Sequence, residues 1–232
     1  HSEAMVLGLV QGLRRTVAAF HPDGRRTTWG NYDTEHSYGE ASFQEKAAFV
    51  EKAAARQRRK LVWDLGCNTG TFSKICAKHS DYVVSVDGDP RAIDRLYEGT
   101  KRQGNEPLLP MIMNLANMSP GQGWGGRERK PFDGRGKPDL VLCLALIHHI
   151  VISANIPLVR FVEWLRKLDA EVVIEFVSAN DDMARMLLRN KENQYSEMTE
   201  DGFESTIKPM FEIISSQPVK RGFRKLYHLA PR

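Results

Sequence analysis

The chain has 232 residues, of which 41% are hydrophobic and 27% are charged, as is ordinary for a folded globular protein. That length accommodates one large α/β domain with an added cap, but not two full domains. The net charge of +4 permits an acidic partner without requiring one. No stretch is long enough to cross a membrane, and three cysteines without a Cys-x-x-Cys pair argue against a disulfide framework or a zinc site and favour the cytoplasm.

Two predicted helices precede the first strand. In residues 5–20 the apolar side chains recur at helical spacing on one face, so we expect this helix to pack on the domain rather than lie on a membrane. Residues 21–41 are polar and are predicted to form a loop. Ser42 and Glu45 have the spacing of a capping box at the start of a second helix. Together these segments predict an N-terminal helical cap, or lid, over residues 1–58.

The segment LVWDLGCNTG, residues 61–70, carries the most specific signal in the chain. An apolar run leads to Asp64 and is followed by Gly66 and Gly70. This pattern predicts a buried parallel strand, a glycine-rich turn and the start of a helix. Glycine lets the backbone approach a ligand closely because it has no Cβ. A second apolar run, residues 82–86, ends in Asp87, where such folds hold the ribose hydroxyls of a nucleoside. The sequence therefore predicts a nucleoside-bearing cofactor.

The spacing of this turn distinguishes between nucleoside cofactors. It is D-x-G-x-x-x-G with Asn68 between the glycines, whereas dinucleotide sites have G-x-G-x-x-G, so a nicotinamide oxidoreductase is disfavoured. The turn resembles that of the class I S-adenosylmethionine-dependent methyltransferases, which have a Rossmann-like fold. A ligand with a sulfonium and an ammonium group but no pyrophosphate suits an acid in the first turn. The resemblance runs roughly from Ser42 to the C-terminus and implies S-adenosyl-L-methionine as the cofactor.

The remainder of the chain alternates between strands and helices, which predicts a parallel sheet with right-handed crossovers. Further strands are predicted at 107–113, 139–147, 171–177, 211–219 and 223–230. Helices are predicted at 71–79, 91–103, 155–170, 181–191 and 201–210. The predicted fold is α/β: a seven-stranded, mostly parallel sheet with helices on both faces and a closing antiparallel hairpin. Residues 59–232 would form the Rossmann-like catalytic domain that binds the cofactor.

The resemblance also implies a set of cofactor-binding residues. They are Lys46, Asp64, Gly66, Asn68, Gly70, Asp87, Gly88, Asn114, Leu115 and Leu144. The glycine turn would contact the methionine portion through its backbone, Asp64 would lie under the ammonium group, and Asp87 would hold the ribose. Asn114 and Leu115 fall where the family contacts adenine. Lys46 lies where some relatives place a basic residue for the cofactor carboxylate, with a solvated helix lysine as the alternative.

The predicted fourth strand ends in ALIHHI, beside the site of methyl transfer in relatives. Three roles stay open for His148 and His149: structural residues, a general base, or metal ligands. Small-RNA 3′-terminal 2′-O-methyltransferases have an E-x-x-E-H metal segment at this strand end. Here the matching positions are Ala145-x-x-His148-His149, so one carboxylate is missing and the other is replaced, and no metal is predicted. Glu175, placed at the tip of the fifth strand, would orient or deprotonate the substrate, or only cap a helix.

Aromatic side chains in two loops are candidate substrate contacts. Trp29, Tyr32 and Tyr38 would form a lid over cofactor and substrate, or simply anchor their loop on the core. Residues 119–138 form a Gly- and Pro-rich loop, too long for a plain connection, that carries Trp124 and several basic residues. A basic loop with one aromatic residue suits an anionic substrate or a nucleic-acid strand, and a solvated surface loop is the alternative.

The leading functional prediction is transfer of a methyl group to an O or N nucleophile of a small molecule. RNA methylation, favoured by the basic loop 119–138, and a cofactor-binding regulatory subunit without activity are the alternatives. The segments ENQY and LALIHHIVISANIP resemble bacterial methyltransferases grouped with a nodulation-type protein. Those chains are longer, so this chain is expected to be a catalytic piece of a larger protein or complex.

Overall fold

The computed structural model describes residues 2–20, 40–104, 107–189, 191, 195, 198–219 and 222–232. The described strands are β1 (Arg59–Leu65), β2 (Ser80–Asp87), β3 (Leu108–Ile112), β4 (Leu140–Cys143), β5 (Glu171–Val177), β6 (Phe211–Val219) and β7 (Arg224–Pro231). The described α-helices are α1 (Glu3–Ala19), α2 (Glu40–Ala54), α3 (Thr71–Ala77), α4 (Pro90–Gln103), α5 (Leu158–Lys167), α6 (Asp182–Leu188) and α7 (Glu200–Ile207).

The strands form one seven-stranded sheet in the order β3-β2-β1-β4-β5-β7-β6. The strands from β3 to β5 in this order pair in parallel, whereas β7 is antiparallel to both β5 and β6. This arrangement confirms the predicted fold class. The connections from β1 and from β4 leave the sheet in opposite directions, because β2 lies on one side of β1 and β5 lies beyond β4. A crevice is expected at such a switch point, at the carboxyl ends of the strands.

Apolar residues cover both faces of the sheet. On one face, side chains of α2, α3 and α4 pack with Val62, Val83 and Leu142. On the other, α5 and α7 pack with Val141 and Ile174. Burial of alternate strand residues toward opposite helix layers explains why the central strands are continuous hydrophobic runs.

The N-terminal helices differ from prediction. Helix α1 buries none of its residues, so the expectation that it packs on the domain is wrong for this chain. Helix α2 begins at Glu40, which places Ser42 inside the helix and rules out the predicted capping box. No described helix has the length and apolar character needed to cross a lipid bilayer. The proposed division after residue 58 stays a prediction.

The fourth strand is shorter than the predicted 139–147. It ends at Cys143 because Ala145 has a left-handed φ of +48°, which turns the chain away from the sheet. A π-helix, His149–Ser153, follows this turn and was not predicted. In the long connection before β4, Phe132 is buried against Trp63 with ring centroids 4.4 Å apart, which fastens this loop to the sheet.

Candidate functional site

The turn after β1 is built from residues in left-handed conformations. Gly66, Asn68 and Gly70 have φ values of +78°, +50° and +81°. Glycine adopts this region freely, and asparagine tolerates it better than most residues. The N–H groups of Gly66 and Cys67 both donate to the Val86 carbonyl, at 2.8 and 3.0 Å, which ties the turn to the end of β2. The backbone of this turn therefore lies at the carboxyl edge of the sheet, as the sequence predicted.

Asp64 lies beneath this turn and is almost completely buried. The Ser73 hydroxyl donates to its carboxylate at 2.6 Å, and Ser73 in turn accepts from Ser85 at 2.8 Å. Burial raises the pKa of Asp64 to about 6, although the Ser73 hydrogen bond and the Lys46 ammonium oppose the rise. A cation in the crevice would favour the carboxylate form, so the site suits an ammonium group.

Asp87, the last residue of β2, connects the turn after β1 with the turn after β2. Its carboxylate accepts the backbone N–H of Asn68 through Oδ2 and that of Asp89 through Oδ1, both at 2.8 Å. Burial raises the pKa of Asp87 above its ordinary value. Gly88 follows, and a Cβ there would lie 3.9 Å from the Met113 carbonyl oxygen. The acid at the end of the second strand thus stands where prediction placed it.

The chain after β3 forms the rim beside Asp87. The Met113 N–H donates to the Asp87 carbonyl at 2.9 Å. Asn114 is exposed, and its side-chain oxygen accepts the N–H of Ala116 at 2.9 Å, while Leu115 is half-buried against the core. Both candidate adenine contacts are therefore near Asp87 along the backbone.

The exit of β4 packs directly against the glycine turn. Leu144 is buried, and Leu146 lies so close to Gly66 that a Cβ on Gly66 would be 3.3 Å from Leu146 Cδ1. The Ala145 N–H donates to Glu175 Oε2 at 2.8 Å. The structure thus brings the first turn and the β4 exit into contact at the carboxyl edge of the sheet.

His148 and His149 stand just beyond this exit, with ring centroids 4.1 Å apart. His148 is buried, whereas His149 is half-buried and begins the π-helix. Burial lowers the pKa of His149, so its imidazole is neutral near pH 7 and able to accept a proton. Within the part of the chain that the structure describes, no three His, Cys, Asp or Glu side chains converge as metal ligands would.

Glu175 is fully buried and lies two residues before the end of β5, not at its tip. Lys46 donates to Glu175 Oε2 at 2.6 Å and is only 4% exposed, so the solvated-lysine alternative is wrong. Arg224 contacts Glu175 Oε1 at 3.3 Å and makes two hydrogen bonds to Asp181, at 2.8 and 2.9 Å. No sequence pattern indicated Arg224 or Asp181, because only the antiparallel β5–β7 pairing brings Arg224 to Glu175 and to Asp181.

The candidate substrate aromatics divide into two groups. Trp124 projects from a tight turn, Trp124–Gly126, and is 89% exposed. Trp29, Tyr32 and Tyr38 lie outside the described residues.

Comparison with known proteins identifies the family. Residues 38–202 match the sequence model of a family described as "Methyltransferase domain". Nodulation protein NoeA of Rhizobium meliloti (strain 1021) is 31% identical over 225 residues, which are 97% of this chain and 46% of NoeA. The chain therefore spans about half the length of this curated relative.

Two solved structures with bound S-adenosylhomocysteine show the same fold. N-methyltransferase NodS from Bradyrhizobium japonicum WM9 has a TM-score of 0.58 at 12% identity, covering 90% of this chain and 93% of NodS. Magnesium protoporphyrin IX methyltransferase from Synechocystis PCC 6803 has a TM-score of 0.56 at 15% identity, covering 96% of this chain and 95% of that enzyme. The buried acid and the glycine turn fit the cofactor that the family uses. The chain belongs to the methyltransferase-domain family, near the nodulation-type group.

Proposed function

We propose that this chain transfers a methyl group to an O or N nucleophile of a small-molecule substrate, in the crevice between the first turn and the β4 exit. The contact of Leu146 with Gly66 supports the proposal most directly, because it puts the histidine pair beside the backbone turn that would hold the cofactor. The residues proposed for cofactor binding and for proton transfer are distant in sequence, but they would then lie side by side.

Each residue of the predicted cofactor set has a proposed task in this geometry. The backbone at Gly66, Asn68 and Gly70 approaches the methionine portion. Asp64 attracts the ammonium group and Asp87 accepts from the ribose hydroxyls. The remaining tasks are adenine contacts by Asn114 and Leu115, ribose contact by Gly88, wall packing by Leu144, and attraction of the carboxylate by Lys46.

Positioning is expected to supply most of the rate enhancement. S-adenosyl-L-methionine, when bound, supplies a methyl group on a sulfonium that is already a good leaving group. The protein then has to align the nucleophile and exclude water, which the buried walls of the crevice favour. We propose His149 as the base that accepts the nucleophile's proton, because its imidazole is neutral and only half-buried.

Calorimetry with S-adenosylhomocysteine and with NAD tests the cofactor site. We expect S-adenosylhomocysteine to bind and NAD not to bind. Replacing Asp87→Ala should weaken binding by roughly 10- to 100-fold, the usual effect of losing hydrogen bonds to a charged group. Asp133→Ala, which removes an exposed acid in the long loop, is the control and should leave binding unchanged. An unaltered dissociation constant in Asp87→Ala would contradict the proposed site.

RNA is the second candidate substrate, because Trp124 is 89% exposed and three basic side chains near it, Arg127, Arg129 and Lys130, are exposed as well. Bases stack on exposed aromatic rings, and contacts to phosphates weaken steeply with salt. Filter binding of single-stranded RNA at increasing salt separates the two substrates. A steep salt dependence with roughly tenfold loss in Trp124→Ala supports RNA; no binding by the wild type supports the small molecule.

We also propose a cytoplasmic site of action within a longer protein. Cys67, Cys76 and Cys143 are free buried thiols, which suit a reducing compartment. The greater length of NoeA supports the second part of this proposal.

A further inference from the structure

Four charged side chains next to the β4 exit form a row of ion pairs, Lys46–Glu175–Arg224–Asp181, which we call the buried charge chain. The contacts along it are 2.6 Å, 3.3 Å and 2.8 Å. All four residues are buried, and their formal charges sum to zero. Asp181 also caps α6 by accepting the Met183 N–H at 3.0 Å. Charges buried this deeply persist only where they are paired and hydrogen-bonded.

Glu175 is the member that connects the buried charge chain to the β4 exit. Its Oε2 atom accepts both the Lys46 ammonium, at 2.6 Å, and the Ala145 N–H, at 2.8 Å. Ala145 has a φ of +48°, a conformation that a residue with a Cβ rarely adopts unless its surroundings enforce it. The Glu175 carboxylate is the hydrogen-bond acceptor that this strained turn uses.

The turn at Ala145 determines the positions of Leu146 and of the two histidines that follow it. Leu146 packs on Gly66 of the first turn, so its position sets one wall of the cofactor crevice. The N–H groups of His149 and Ile150 both donate to the Leu146 carbonyl, at 2.9 and 3.2 Å. A change at Ala145 would therefore move the wall and the histidine pair together.

We propose that Glu175 is a positioning residue, which holds Ala145 in the left-handed conformation and so sets the crevice wall and His149. This inference deepens the proposed function and rests on it. It replaces the expectation that Glu175 deprotonates the substrate. Both oxygens of the Glu175 carboxylate already contact cations, Oε2 with Lys46 and Oε1 with Arg224, which disfavours proton transfer from a substrate.

A matched pair of substitutions isolates the hydrogen bond to Ala145. Glu175→Gln and Glu175→Met both remove the charge and have similar length, but only glutamine retains an oxygen that can accept the Ala145 N–H. We expect S-adenosylhomocysteine to bind roughly tenfold more weakly to Glu175→Met than to Glu175→Gln, the effect of losing one such hydrogen bond. Where either variant fails to fold, the same pair is compared with Lys46→Met added, which restores the charge balance.

Adding Ala145→Gly tests whether Glu175 acts through this residue. Glycine enters the left-handed region without enforcement, so it should bring Glu175→Met to within about threefold of Glu175→Gln. A purely structural role for Glu175 predicts no such rescue, and equal affinities of the two single variants would overturn the proposal. Hydrogen exchange of residues 144–149, which needs no ligand, should be faster in Glu175→Met than in Glu175→Gln. If the wild type binds no S-adenosylhomocysteine, the proposed function fails, and this exchange difference alone decides the role of Glu175.

Discussion

Gly70 occupies a conformation and a space that no other residue fits. Its φ is +81°, and a Cβ would lie 2.5 Å from Leu96 Cδ1 in the core. We expect Gly70→Ala to destabilise the fold by about 2–4 kcal/mol, because left-handed strain adds to overpacking. Urea denaturation measures this loss. Gly12→Ala in α1, where a Cβ meets nothing within 4 Å, is the control and should cause no decrease. An unaffected Gly70→Ala would show that the turn relaxes.

The buried acid under the turn should make cofactor binding depend on pH. The pKa of Asp64 is about 6, so its carboxylate is protonated as the pH falls below that value. An ammonium group in the crevice favours the charged form, and binding is therefore stronger above pH 6. We expect the dissociation constant for S-adenosylhomocysteine to rise roughly five- to tenfold from about pH 7.5 to about pH 5.

Calorimetry at each pH checks this dependence. The amino group of the ligand is mostly protonated over this range, and its partial deprotonation near pH 7.5 would weaken binding there, so the protein is the source of the expected change. Asp64→Asn should bind weakly at every pH and lose most of the slope. A wild-type affinity that does not vary with pH would mean that Asp64 does not contact the ammonium group.

Residues of the first turn were predictable because their signal is local. Gly66, Asn68 and Gly70 lie within five positions of one another, and Asp87 ends the next apolar run. Glu175 was predicted as a candidate, but its proposed positioning role was not, because that role depends on partners 129 and 49 positions away, Lys46 and Arg224. No short-range pattern reports such pairing.

Between elements, the buried charge chain connects α2, β5, β7 and the cap of α6. Removing one partner from a buried ion pair leaves an uncompensated charge, so Arg224→Met should destabilise the protein by about 3–5 kcal/mol. Arg102→Met is the matched control, because Arg102 contacts Glu98 at 3.1 Å on the exposed side of α4 and should matter by less than about 1 kcal/mol. Denaturant unfolding of both variants compares them, and equal losses would contradict the proposed importance of burial.

The connection between β3 and β4 shows what element prediction omits. Its composition predicted a loop that contacts the substrate, or else a solvated surface loop. In the structure, two short turns, Trp124–Gly126 and Phe132–Gly134, and the bridge between Gln122 and Arg129 give it a defined shape. Phe132 is buried and anchors the loop, whereas Trp124 is exposed. Composition alone does not distinguish these two environments.

At the scale of the whole molecule, strand–helix alternation was sufficient to predict the sheet. Parallel strands need crossovers of one hand, and this rule leaves few topologies for such an order of elements. The crevice then follows from the switch point between β1 and β4. The substrate cannot be predicted in the same way, because methyl transfer requires little beyond alignment and leaves few identifiable side chains.

Helix α1 illustrates the limit of periodicity at this scale. An apolar face indicates that a helix can be covered, but not what covers it, and α1 buries no residue on this chain. A variant without residues 1–20 should therefore unfold within about 2 °C of the full chain and bind S-adenosylhomocysteine equally well. Val50→Ala, in the buried face of α2, is the contrast and should lower the midpoint by several degrees. A comparable drop in the truncated variant, measured by thermal unfolding, would show that α1 does pack on the domain.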